Sequence, residues 1–211
     1  MQEEAAAAVR GDLALFDFDG TITTRETLPD FLRLAVPPRR LAIGKVVLAP
    51  LVVGYRIGLV PGTLVRSVLV RVGFAGVPAA ATAAHGADFA ARVLPGLLRP
   101  EAMARIAWHK ARGDTVAVVS GGFDVYLKHW CDAHGLALLC SSLEEADGRL
   151  TGRYRGAQCV RREKVRRVLA EYDLSAYARV YAYGDTREDL DLLGLAHEAT
   201  YRWARWQRPG A

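Results

Sequence analysis

The stretch Asp12-Leu13-Ala14-Leu15-Phe16-Asp17-Phe18-Asp19-Gly20-Thr21 decides how the rest of the chain is read. Leu13–Phe16 is a short apolar run that stops at two carboxylates and a glycine. A run of that length, bounded by a turn signal, fits a strand buried on both faces of a parallel sheet. In open α/β sheets, ligands bind beyond the carboxyl ends of the strands. Asp17 and Asp19 therefore fall where such a fold places its chemistry. Like charges two residues apart repel, and burying them unpaired is costly. A divalent cation relieves that conflict, and hard oxygen donors suit Mg²⁺. The plainer reading is a pair of solvated turn acids ahead of a helix.

Two later apolar runs end in a comparable way. Thr115–Val119 leads into Ser120-Gly121-Gly122 and then a helical segment, read from Gly122 to about Ala133. Backbone N–H groups at a helix start, a hydroxyl and missing Cβ atoms together make an anion pocket, although Ser-Gly-Gly is also a common turn. Val180–Tyr183 reads as the last strand and runs into Gly184-Asp185-Thr186-Arg187-Glu188-Asp189, with a leucine-rich helix following. Helix N-termini attract acids, which accounts for Glu188 and Asp189 but not for Asp185 at the end of an apolar strand. Lys164 lies near the start of a helix running to about Glu171, within a basic run whose plain reading is a solvated face. Leu136–Cys140 reads as a further strand, and Asp147-Gly148 as a hairpin turn.

Between the first and second strands no strand pattern occurs. Thr24 to about Val36 reads as a helix ended by Pro37-Pro38. Leu41–Pro61 is the most apolar part of the chain, but its uncharged core, Val46–Tyr55, is too short to span a bilayer, which takes about 20 apolar residues. It reads as helices packing on each other, with a peripheral membrane-facing surface as the alternative. Thr63–Val72 and Ala79–Val93 read as further helices, and Leu98–Arg112 as a helix closed by Gly113. The expected fold is α/β: a Rossmann-like parallel sheet with helices on both faces, formed by residues 1–23 and 94–211. An all-helical cap, residues 24–93, is inserted after the first strand. The aromatic and basic tail, Tyr201–Trp206, is expected to pack over the sheet edge or a partner, with lipid headgroups as the lesser alternative.

Asp17-Phe18-Asp19-Gly20-Thr21 resembles the first motif of the haloacid dehalogenase-like hydrolases, in which the first Asp is the nucleophile and the second the general acid/base. The strand-terminal Ser120 is similar to the second motif, and Val118–Asp124 to its version in phosphoserine phosphatases. Cys159-Val160-x-x-x-Lys164-Val165 resembles the third, and Gly184-Asp185-x-x-x-Asp189 the fourth. The resemblance covers nearly the whole chain. It implies a Mg²⁺-dependent phosphatase working through an aspartyl-phosphate on Asp17. Asp17, Asp185 and the backbone carbonyl of Asp19 would hold the metal, with Asp189 in support. Gly20, Thr21, Ser120, Gly121 and Gly122 would surround the phosphate, and Lys164 would neutralise it. Glu26, nine residues after Asp17, matches the glutamate with which phosphoserine phosphatases recognise an ammonium group, though an acid in a first helical turn is equally a solvated residue. Glu188 stands where those enzymes carry asparagine. The expected substrate is therefore a small phosphorylated molecule that is not strictly phosphoserine, with amine-bearing or lipid phosphates foremost. Phosphotransfer, lipid-phosphate hydrolysis at a membrane surface and a non-catalytic binding protein are the alternatives.

Composition is consistent with this reading. The 211 residues are 51% hydrophobic and 24% charged, which excludes a disordered chain. The net charge of +5 suits an anionic substrate or surface. Nucleic acid is not expected, since no basic stripe interleaved with aromatics is present. Three widely spaced cysteines argue against a disulfide framework or zinc site and for a reducing compartment. The N-terminus is acidic and lacks a signal pattern, so a cytoplasmic protein is expected.

Overall fold

The computed structural model describes residues 11–207; the acidic Met1–Ala8 stretch lies outside them. Strand β1 (Leu13–Phe16) is followed by helices α1 (Leu28–Ala35), α2 (Pro38–Arg56), α3 (Gly62–Phe74) and α4 (Ala79–Arg92). Helix α5 (Pro100–Ala111) leads to β2 (Thr115–Phe123), α6 (Asp124–His134) and β3 (Ala137–Ser141). The hairpin β4 (Leu143–Ala146) and β5 (Arg149–Tyr154) precedes α7 (Arg162–Glu171). Strand β6 (Val180–Gly184), the one-turn α8 (Leu190–Leu193), β7 (Glu198–Tyr201) and β8 (Ala204–Trp206) complete the fold.

The main sheet has the order β3-β2-β1-β6-β7-β8. All its pairs are parallel except β7–β8. β1 lies at its centre, which explains a four-residue run with no polar member: each of its side chains is fully buried. Successive strand residues point to opposite faces. Ala14 and Phe16 accordingly join one core cluster with Val116, Val118, Tyr181 and Tyr183, and Leu13 and Leu15 join the other with Ala117, Val119, Val180 and Ala182. The first face is covered by α5 and α6 and by residues of the helical block; the second is covered by Val168 of α7 and Leu192 and Leu193 of α8. This is the expected Rossmann-like α/β arrangement.

The helical block is attached through aromatic rings. Phe31 of α1 lies 4.9 Å from Tyr126 of α6, and Phe89 of α4 lies 5.3 Å from it. Each such pair contributes about 0.5–1.5 kcal/mol beyond its area. Gly86 lets α4 approach α6 closely, since a Cβ there would collide with the Val125 carbonyl. The Asp147-Gly148 turn has φ of 51° and 71°, the doubly left-handed turn that an Asp-Gly pair favours. Cys131, Cys140 and Cys159 are free and buried.

Three expectations need correction. The first helix begins at Leu28 rather than Thr24, because Thr23–Thr27 is drawn into side-chain bonds: Thr23 Oγ1 donates to Arg25 O at 2.8 Å, and Thr27 N–H donates to Asp19 at 2.8 Å. Strand β2 continues through Ser120-Gly121-Gly122 to Phe123 with a shift of register, so helix α6 starts at Asp124 rather than Gly122. Val180–Gly184 is also not the last strand. β7 extends the sheet and β8 forms its antiparallel edge, so the tail is itself the sheet edge it was expected to cover.

Candidate active site

The register of the central strands assembles the site. Phe16 is paired with Val118 on one side and Tyr183 on the other, so β1 and β6 end flush, and Asp17 N–H donates to Tyr183 O at 2.9 Å. Asp17 and Asp19 follow β1, Asp185 follows β6, and Ser120 lies in the extended end of β2. Together with Lys164, Glu26, Asp189, Gly121 and Gly122 they line one cleft of about 860 Å³. Every sequence-selected residue except Gly20 and Thr21 lines it. Those two lie immediately behind, with Thr21 Oγ1 donating to Asp185 Oδ1 at 3.3 Å. Gly20 has φ +79°, and a Cβ there would collide with the Asp185 carboxylate.

Lys164 is the most constrained member. It stands in the first turn of α7, yet is only 2% exposed despite its basic neighbours. Its Nζ donates to Asp17 Oδ1 at 2.5 Å and to Asp189 Oδ1 at 2.6 Å. Burial pulls this ammonium's pKa down, but the two carboxylates outweigh it and the net shift is upward. Asp189 Oδ2 accepts from Thr186 N–H at 2.9 Å and Thr186 Oγ1 at 2.8 Å, in a capping box that fixes the chain after β6. Burial would raise Asp189, but Lys164 and these bonds hold it below the usual carboxylate range.

Asp17 goes the other way: burial and then the charge of Asp189 push it well above its ordinary value, against Lys164. Asp185 is likewise raised by burial and Asp189. Asp17, Asp185 and Asp189 offer carboxylate oxygens within 4.8 Å of one another. One ammonium cannot balance three acids, and both oxygens of Asp189 are already engaged. Asp17 and Asp185 are therefore the residues fitted to a hard cation.

Asp19 is turned toward α1. Its Oδ1 accepts from Thr27 N–H at 2.8 Å and Thr27 Oγ1 at 2.5 Å, while burial raises its pKa against those bonds. Ser120 Oγ accepts from Gly122 N–H at 3.0 Å. Its own proton is thus free for the cleft, whereas the Gly122 amide is occupied. A Cβ on Gly122 would lie 2.9 Å from Leu127 Cδ1 and the Tyr126 hydroxyl, so that glycine also serves packing.

Two features escaped the sequence reading. Arg66 of α3 reaches across the cleft to Glu188, with Nη2–Oε2 at 2.8 Å and Nη1–Oε1 at 3.2 Å. The only hint is the departure at Glu188 itself. Glu26 lines the same mouth; burial and then the charge of Asp19 push it up to about 7, with Arg66 opposing, although its side chain is exposed enough for solvent to screen part of this. Trp203 is the second feature. It stacks on Tyr183 and donates from Nε1 to Thr21 O at 3.3 Å, tying the tail to the loop behind Asp19.

The family model of the haloacid dehalogenase-like hydrolases matches residues 14–194, which span all of these positions. The chain belongs to the haloacid dehalogenase-like hydrolases. Protein CicA of Caulobacter vibrioides is 31% identical over 192 residues, covering 90% of this chain and 85% of that protein. A solved protein of unknown function from Bordetella pertussis superposes with a TM-score of 0.74 at 24% identity, over 91% of this chain and 90% of that one. A phospho-aspartyl intermediate analogue of phosphoserine phosphatase superposes at 0.66 with 22% identity, over 91% and 86%. These two likenesses show that the fold is shared.

Proposed function

We propose that this hydrolase is a Mg²⁺-dependent phosphomonoesterase that forms an aspartyl-phosphate on Asp17, with helices α1–α4 acting as a cap over the cleft. The observation that carries the reading is the buried Asp17–Lys164–Asp189 chain at the end of the central strand, with Asp185 beside it and Ser120 on the next strand. A simple structural ion pair does not need a second and third acid around one lysine. A site that holds a divalent cation, and through it draws a dianionic phosphate against a carboxylate, does. The phospho-aspartyl state named for the structurally similar phosphoserine phosphatase supports the same chemistry.

Asp17 would hold the metal together with Asp185 and the Asp19 carbonyl, with Asp189 as the supporting acid. Bound there, Mg²⁺ supplies charge neutralisation and orientation of the phosphate oxygens. The chain's own residues do the rest. Lys164 fixes Asp17 through Oδ1, and Asp17 attacks phosphorus. Ser120 Oγ–H and the Gly121 amide take phosphate oxygens, with Gly20 and Thr21 shaping the loop beneath. Asp19 is anchored by Thr27 through one oxygen, and burial raises its pKa in the direction that favours a carboxyl able to protonate the leaving alcohol. Having given up that proton, the same carboxylate takes one from the water that releases phosphate.

The test is hydrolysis of a panel of phosphomonoesters with Mg²⁺ and with EDTA. Turnover of at least some members that disappears on chelation is expected. No turnover of any member in saturating Mg²⁺ would overturn the proposal.

A further inference from the structure

Helix α2 carries apolar residues on two opposite sides but packs through only one of them, where Arg40, Lys45 and Arg56 flank the apolar side chains. Leu41, Leu48 and Val52 face α1 and α3 across a groove. On the opposite side Ile43, Val46, Val53 and Ile57 are 56%, 76%, 58% and 64% exposed, and Leu59 just beyond is 77% exposed. Their spacings of three, four and seven place them on one stripe. At 1.5 Å per residue, the stripe from Ile43 to Ile57 is about 21 Å long. Single exposed apolar residues are ordinary, but a continuous apolar face marks an interaction surface.

Charge identifies what covers it. Residues 31–87 contain seven cations and not one Asp or Glu; Arg33 and Arg66 pair with Asp30 and Glu188, which leaves Arg39, Arg40, Lys45, Arg56 and Arg71 outside any ion pair among the described residues. The whole chain is only +5, so the remainder is on balance acidic. A second copy is a poor partner, because a two-fold contact would press this cationic block against itself. An anionic bilayer fits both features. Apolar side chains enter the headgroup boundary while Lys and Arg stems lie along it with their charges at the lipid phosphates. No helix among the described residues is long and apolar enough to cross a membrane, so the contact is peripheral.

The stripe ends where the chemistry begins. Tyr55, Leu59 and Val60, at the α2–α3 tip, line the same cleft as Asp17 and Asp19. We propose that the apolar and basic face of α2–α3 docks on anionic bilayers and that the phosphomonoester taken by the cleft is the terminal phosphate of a membrane lipid. The substrate half rests on the phosphomonoesterase reading above; the docking half does not.

The experiment uses the full chain and vesicles of phosphatidylcholine, alone or with phosphatidylglycerol, at low and high salt. Sedimentation reports binding. Hydrolysis of phosphatidate in the mixed vesicles and of soluble p-nitrophenyl phosphate reports activity. The unmodified protein should pellet with anionic vesicles only, and less so at high salt. Val46→Asp with Ile57→Asp, exposed positions outside the cleft, should weaken vesicle binding and phosphatidate hydrolysis by at least about tenfold, leaving p-nitrophenyl phosphate turnover unchanged. Lys45→Glu should reduce binding with the same sparing. Equal binding to neutral vesicles, binding insensitive to these variants, or a dimer in solution that Val46→Asp dissociates would overturn the docking. Vesicle binding as expected but faster turnover of soluble esters than of phosphatidate would overturn the lipid substrate. Vesicle binding with no hydrolysis of either substrate would instead count against the phosphomonoesterase reading.

Discussion

Replacing Lys164 with methionine removes the single cation between Asp17 and Asp189 while keeping most of the side chain's volume. Nζ makes bonds of 2.5 and 2.6 Å to carboxylates that are themselves buried. The variant therefore leaves two acids facing each other without water. Breaking a buried pair from one side costs about 3–5 kcal/mol. For a domain of this size, about 2–4 °C of Tm per kcal/mol converts this to a fall of roughly 6–20 °C, measured in EDTA. Two dependences distinguish this cause from loss of packing. Without the ammonium the folded-state pKa of Asp17, already raised, climbs further, and Asp189 loses the partner that holds it below the usual carboxylate range. The folded state then binds the extra protons, and the variant loses stability as pH rises from the acidic range toward neutrality. Mg²⁺ should also raise the variant's Tm more than that of the unmodified protein, because a competing cation has gone. Urea and thermal unfolding at acidic and neutral pH, with and without Mg²⁺, measure all three. A deficit below about 1 kcal/mol, or one indifferent to both pH and metal, would refute the electrostatic account of this triad.

Asp185→Ala should raise the Mg²⁺ concentration for half-maximal phosphatase activity by more than about tenfold, read from metal titrations of initial rates. Glu26, with its pKa pushed up to about 7, gains its charge as pH rises through neutrality. The ratio of kcat/KM for phosphoethanolamine over glycerol phosphate should then increase across that range, and Glu26→Gln should flatten it; equal losses on both substrates would show that Glu26 serves only its neighbours. Glu163 is held near 2 by Arg166, then by Arg167, against its partial burial. A depressed acid contributes stability that is complete above its ordinary value near 4.5 and lost as pH falls toward 2, so Glu163→Gln should give a shallower acid limb in urea titrations over that window.

Much of the fold was legible because its signals are local. Leu13–Phe16, Thr115–Val119 and Val180–Tyr183 read as buried strands since parallel strands covered on both faces need no polar residue, and the Asp147-Gly148 turn carries its own backbone preference. The acids at the ends of β1 and β6 stood out for the same reason. They interrupt apolar runs where only a ligand justifies a charge. Strand order was not legible, because pairing β1 with β6 joins segments whose separation leaves no local trace. β7 and β8 are not legible as strands: only Ala199 of β7 is buried, and neither carries the apolar run that marks the central strands. The start of α1 was misplaced because Asp19 captures the Thr27 amide, a contact that depends on how the loop folds. Ser120-Gly121-Gly122 looked like a helix entry, yet the Ser120 hydroxyl and the packing of Leu127 keep it extended. The Arg66–Glu188 contact joins residues 122 positions apart, and the glutamate at 188 hints at a partner without saying which residue it is.

The central claim is that Asp17 becomes covalently phosphorylated. Substrate labelled with radioactive phosphate, mixed with the Mg²⁺-loaded protein and quenched in acid during turnover, tests it directly. The label should remain on the protein, should be released by hydroxylamine as expected of an acyl-phosphate, and should map to the peptide containing Asp17. Asp17→Asn should fold, retain its circular dichroism and take up no label. Label on a serine or histidine, or undiminished turnover by Asp17→Asn, would contradict the account.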